Sequence, residues 1–138
     1  MLTQEIVMTE KESANKNHSR VFLIAQPTIP KNGQLPDLTP LADFGDIKVV
    51  IEAGDYPSFK PGEAWKRVND RLRDFDAEQD YLVWAGGDTL SSVMAGAALT
   101  QMGHRRFRWL RFERGVVKST GERDNLRGKY SVVEISLL

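Results

Sequence analysis

Three short runs constrain the fold of this chain more than any other feature: "VFLIA" (21–25), "IKVVIE" (47–52) and "YLVWA" (81–85). Each is rich in β-branched and aromatic residues. A strand with one wet face alternates apolar and polar residues, whereas a strand covered on both faces reads as a near-continuous apolar run. Long connections separate the three runs. Such connections are crossovers rather than hairpins, and crossovers join parallel strands with a right-handed sense.

The connections carry their own signals. "QPTIP" ends the first run, because Pro27 and Pro30 cannot continue a central ladder. Thr39 and Pro40 predict a short helix through "PLADF" to Gly45. Pro61 opens a longer helix over 61–75, with Trp65, Val68, Leu72 and Phe75 on one face. A second helix is predicted over 89–102. Leu90, Val93, Met94, Ala97, Ala98, Leu99 and Met102 leave it little polar surface, and Gly103 stops it. "RFRWLRFERGVV" (106–117) and "YSVVEISL" (130–137) read as a fourth and a fifth strand, joined as a hairpin by the turn-rich "KSTGERDNLRGK". The expected fold is therefore α/β: a small three-layer, mostly parallel sheet of about five strands and two main helices, with an antiparallel C-terminal hairpin.

A length of 138 residues fits one domain. Residues 1–20 are polar and aperiodic and are expected to form a flexible tail, leaving 21–138 as the domain. The apolar runs are too short to span a bilayer. No secretory signal opens the chain, and there is no cysteine. These features fit a cytoplasmic protein that does not use a membrane, and they exclude disulfides and thiolate chemistry.

Parallel strands bring their carboxyl ends to one edge, where ligands of open α/β sheets collect. Gln26 and Thr28 leave the first strand there, Asp55 and Tyr56 the second, and Gly86, Gly87, Asp88 and Thr89 the third. Two glycines ahead of a helix N-terminus suit a nucleotide or a small anionic metabolite. The same residues also suit a plain turn, with Asp88 or Thr89 capping the helix. The tetrad Gly86-Gly87-Asp88-Thr89 looks like the "GGDGT" stretch of the phosphofructokinase and NAD-kinase superfamily. The glycine after the acid is missing, and the chain has no room for those enzymes' second lobe. Dinucleotide fingerprint, P-loop and nucleophile elbow are absent. His18 and His104 are isolated, so neither a catalytic set nor a metal or cofactor is evident.

The neutral total charge conceals a split. Residues 1–104 hold 10 Lys/Arg against 15 Asp/Glu, and residues 105–138 hold 9 against 4. Arg105, Arg106, Arg108, Arg111, Arg114, Lys118, Arg123, Arg127 and Lys129 crowd the C-terminal hairpin among Phe107, Trp109 and Phe112. Cations interleaved with aromatics suit single-stranded nucleic acid. Cations alone suit the acidic surface of a protein. Strand alternation puts Phe107, Trp109 and Arg111 on one face and Arg106, Arg108, Leu110 and Phe112 on the other.

The succession "VFLIAQPTIP", "LADFGDIKVVIEAGD", "RLRDFDAEQDYLVWAGGD", "AGAALTQMG", "FRWLRFERG" and "KYSVVEISLL" resembles small α/β proteins encoded in tailed-bacteriophage genomes, a group without assigned activity. The resemblance covers residues 20–138. It implies an intracellular accessory protein that acts by binding a host protein or viral nucleic acid, and it supplies no functional residues.

Overall fold

The computed structural model of the chain describes residues 19–28, 38–113 and 129–137. Most of the expected tail, the hairpin loop and residues 114–117 of the expected fourth strand lie outside the described residues. Five strands build one sheet: β1 (Arg20–Ala25), β2 (Asp46–Ile51), β3 (Tyr81–Val83), β4 (Arg106–Glu113) and β5 (Lys129–Ser136). Their spatial order is β2-β1-β3-β4-β5. β1 pairs in parallel with β2 and β3, and β3 in parallel with β4. β4 and β5 pair antiparallel. The fold is thus the mixed, mostly parallel α/β sheet that the apolar runs require.

Two α-helices follow β2 and β3: α1 (Pro61–Arg71) and α2 (Leu90–Gln101). Pro61 starts α1, where its fixed φ helps and its missing N–H costs nothing. Ala64, Val68 and Leu72 form the buried stripe. The helix ends at Arg71, four residues short of the predicted boundary, but tighter turns carry the chain on. Phe75 N–H donates to Leu72 O at 3.1 Å, which brings Phe75 edge-on to Phe22, with ring centroids 5.7 Å apart.

α2 departs from its expected burial. Its buried stripe is Ser91, Ala95, Ala98 and Leu99, while Val93 is 67% exposed and Leu90 and Ala97 also face solvent. The small side chains let the helix axis approach the sheet closely, so bulkier residues turn outward. Gly103, at φ +97°, ends the helix, and His104 N–H donates to Leu99 O at 3.0 Å.

Alternate residues of β1 divide the core. Phe22 and Ile24 pack with α1 and α2. Val21 and Leu23 pack on the opposite face with Leu41 of the 3₁₀ turn η1 (Thr39–Asp43) and with Leu110 and Tyr130 of the hairpin. Both α-helices therefore lie on one face, and the other cover is thin. Each fully buried aliphatic side chain in these clusters contributes about 1.5–3 kcal/mol.

The chain steps from β1 to β2 in one direction along the sheet, then from β2 to β3 and on to β4 in the other. The first step is covered by η1 and the later ones by the α-helices, on opposite faces. Crossovers of one hand that run in opposite directions must lie on opposite faces. The direction reverses between β1 and β3, which creates a topological switch point at their carboxyl ends.

Candidate functional site

At this switch point the exits of β1, β2 and β3 converge. Gln26 follows β1, and its N–H still donates to Ile51 O of β2 at 2.8 Å. Its side-chain oxygen accepts from Ala53 N–H at 3.0 Å, at the start of the 3₁₀ turn η2 (Ala53–Asp55). Tyr56 is buried, and its hydroxyl donates to the carbonyl of Gln26. Gln26 and Tyr56 thus fasten the exits of β1 and β2 to each other.

The two glycines are explained by these neighbours. Gly86 has φ +129° and Gly87 φ +93°, both in the region that favours glycine. A Cβ on Gly87 would stand 2.8 Å from Tyr56 Oη and 3.1 Å from both Ala25 Cβ and Gln26 O. The close approach that Gly87 permits is therefore made by the protein's own tyrosine and backbone.

Asp88 serves as a helix cap and a latch. Its Oδ1 accepts from Leu90 N–H at 3.0 Å, so it satisfies an orphan donor of α2, while Thr89 makes no side-chain cap. Its Oδ2 accepts from Ser58 N–H at 2.9 Å and from the Ser58 hydroxyl. The Ser58 hydroxyl bond, joined by the Ser58 and Leu90 N–H groups, holds the Asp88 carboxyl below the usual carboxylate range. A fixed negative charge thus stands where a phosphate at the N-terminus of α2 would place its own.

Asp55 is occupied differently. It pairs with Arg67 at 2.5 Å and with Lys60 at 3.9 Å. Asp55 and Asp88 share an edge, yet each is committed to its own partners. Thr28 and Thr89 are exposed there. The rim also displays an aromatic ring. Phe59 is 70% exposed and stacks on Tyr56, with centroids 6.2 Å apart. Among the described residues, no group of three or more His, Asp or Glu could hold a metal ion.

The cations of the hairpin occupy a second region. Arg106 reaches Glu78 at 3.2 Å and Glu134 at 3.6 Å. Arg108 lies over the ring of Tyr81 at 4.2 Å and donates to Glu78 O at 2.9 Å. Glu113 takes Arg111 at 3.1 Å and Lys129 at 3.9 Å. The side chains of Arg106, Arg111 and Lys129 remain 55%, 63% and 82% exposed. The aromatics are less available: Phe107 is buried, Trp109 packs on the helix-side core and Phe112 lies against Tyr130. Arg105 joins the start of β4, whereas Arg114, Lys118, Arg123 and Arg127 lie outside the described residues.

Residues 19–118, from the start of β1 through β4, match the family described as phage Pam3 gp32-like protein. The chain belongs to that family. No curated protein and no solved structure shows significant similarity to it. The likeness to small phage α/β proteins read from the strand succession is therefore borne out. Among the described residues of this phage Pam3 gp32-like family member, no helix is long and apolar enough to cross a membrane. The matched stretch contains the whole rim, whereas β5 lies beyond it.

Two groups at the rim escaped the sequence reading. Ser58 latches Asp88 from 30 positions away, and Phe59 stands beside it. The available signal was "DYPSFK", where a turn-forming Pro-Ser pair is followed by an aromatic with no helical or strand period to bury it.

Proposed function

We propose that this protein is a phage accessory factor that acts by binding, and that its partner is a host protein with an acidic surface, met by the cationic hairpin. One observation carries the reading: Arg111 and Lys129 are exposed on one face of β4 and β5 and Arg106 on the other, while Phe107 is buried and Trp109 and Phe112 are half-buried against the core. Binding of single-stranded nucleic acid relies on open rings for base stacking. Charge without such a platform favours an acidic protein surface, where complementarity sets partner choice and association rate. At the rim, Asp88 and Gln26 already hold protein donors, and Tyr56 gives its proton to the backbone. This weighs toward a protein partner over a small anion.

The test is a pull-down from host lysate with the tagged chain and with a triple variant, Arg106→Gln, Arg111→Gln and Lys129→Gln. Surface ion pairs of this kind contribute about 0–1 kcal/mol each, so the variant should keep its fold, as circular dichroism and melting temperature will verify. The expected result is a stoichiometric acidic partner for the native chain and its loss from the variant. Recovery of the same partner by the variant overturns the proposal. So does steeply salt-dependent binding of single-stranded DNA without a protein partner.

A further inference from the structure

We infer that this protein forms a two-fold dimer in which β5 pairs antiparallel with β5 of a second copy, extending the sheet from five strands to ten. The inference rests on the contrast between the two sheet edges and is independent of the proposed host partner.

β5 ends the strand order, and no described element pairs with its outer side. Leu137 N–H donates inward to Arg105 O at 2.7 Å. Residues of an antiparallel strand alternate in the side to which their peptide groups point. Val132, Glu134 and Ser136 therefore direct their N–H and C=O groups away from β4. The β4–β5 register runs without a bulge from Arg106 against Ser136 to Glu113 against Lys129. β5 contains no proline, and only Lys129 and Glu134 are charged. Val132 and Ile135 are exposed on its two faces. Sheets that must avoid pairing blunt such an edge with proline, bulges, charges or a covering element.

Each edge strand carries two charged residues, and what sets the opposite edge apart is a cover. β2 carries Asp46 and Lys48, and Arg71 of α1 lies across it, donating to Val50 O at 2.7 Å. Pairing of β5 with β2 of another copy would generate open-ended growth, and the arginine obstructs it. Pairing of β5 with β5 closes after two chains. A formal net charge of zero sets no overall repulsion between copies.

Same-face residues must oppose one another across a two-fold axis normal to the sheet. A register centred on Val133 uses the whole of β5. It places Val132 opposite the second copy's Glu134 and Ser131 opposite the second copy's Ile135. Centring on Glu134 would instead oppose like charges, which is unfavourable. On the helix side, an apolar groove of 260 Å³ between α2 and the hairpin is walled by Leu99, Phe107, Trp109, Ile135 and Leu137, so β5 supplies part of its wall.

The test is the molecular mass of the full chain by sedimentation and light scattering over a concentration series. The native protein should approach twice its chain mass of 15.6 kDa. Val132→Pro removes an N–H that points away from β4, so the hairpin ladder survives and the mass should halve. Val132→Glu places a carboxylate opposite the second copy's Glu134 and should do the same without constraining the backbone, which keeps the test decisive if the proline variant fails to fold. A single-chain mass for the native protein throughout, or a dimer left intact by Val132→Glu, overturns the inference.

Discussion

Gly87 and Gly96 lie in one short stretch and answer to opposite constraints. Gly87 has φ +93° and no space for a Cβ beside Tyr56 and Gln26, whereas Gly96 sits inside α2 with nothing within 4 Å of a Cβ. Gly87→Ala should destabilise by about 2 kcal/mol or more, through a backbone region hostile to alanine and a clash with buried atoms. Gly96→Ala should stabilise by about 0.5–1 kcal/mol, because alanine is the better residue in a helix. Thermal unfolding of the two variants should give melting shifts of opposite sign. The sequence puts Gly87 in a turn and Gly96 in a helix but does not show how much room either has. What separates them is Tyr56, which is remote along the chain and close in space. The tight turn and the capping acid after β3 were legible locally, but the residues that fill the space around them were not.

At the scale of elements, one staple fixes the start of β1 to the start of β3. Asp80 is 1% exposed and accepts from Arg20 N–H at 3.1 Å, Arg20 Nη2 at 2.8 Å and Asp76 N–H at 2.8 Å. Removing the carboxylate leaves two backbone donors and a guanidinium short of partners. Asp80→Ala should therefore cost about 2–4 kcal/mol, measured by denaturant unfolding. The strands themselves were readable, because doubly buried strands announce themselves as apolar runs. The buried side of α2 was not. Its sequence is apolar almost all round, so periodicity gives no direction, and the contact is made by Ser91 and the alanines rather than by Leu90 and Val93. Asp80 itself had a signal, an acid set directly against the "YLVWA" run, but only its partner Arg20 gives it a role.

At the scale of the whole molecule, carboxylates among the described residues are held below their ordinary pKa by partners, Arg111 and Ser131 for Glu113 among them. Ser58 does this for Asp88, Arg71 for Glu52 and Arg20 for Asp74. A group with a depressed folded-state pKa stabilises the native chain above its unfolded pKa and loses that contribution as pH falls through the folded one. Stability should accordingly be level near neutrality and decline as pH drops below about 4, the unfolded carboxylate range. Melting temperature against pH checks this, and Asp88→Asn should make the decline shallower. The crossover logic read from the sequence also holds at this scale: the three strand exits do share an edge. The charge split was equally visible in the sequence. Where its cations go was not, since ion pairs such as Arg106 with Glu78 join segments that no local pattern connects.

The interior position of β1, between β2 and β3, has a consequence for synthesis. Of the five strands this one emerges from the ribosome first, and one of its two neighbours, β3, comes much later: Val21 pairs with Tyr81, and Arg20 grips Asp80 across 60 positions. No stable sheet can close around it until β3 has been translated. The nascent chain must carry the apolar run "VFLIA" uncovered on that side while everything up to β3 is added. Pairing β1 with β3 requires closing that long loop, an entropic cost that forming either helix does not carry.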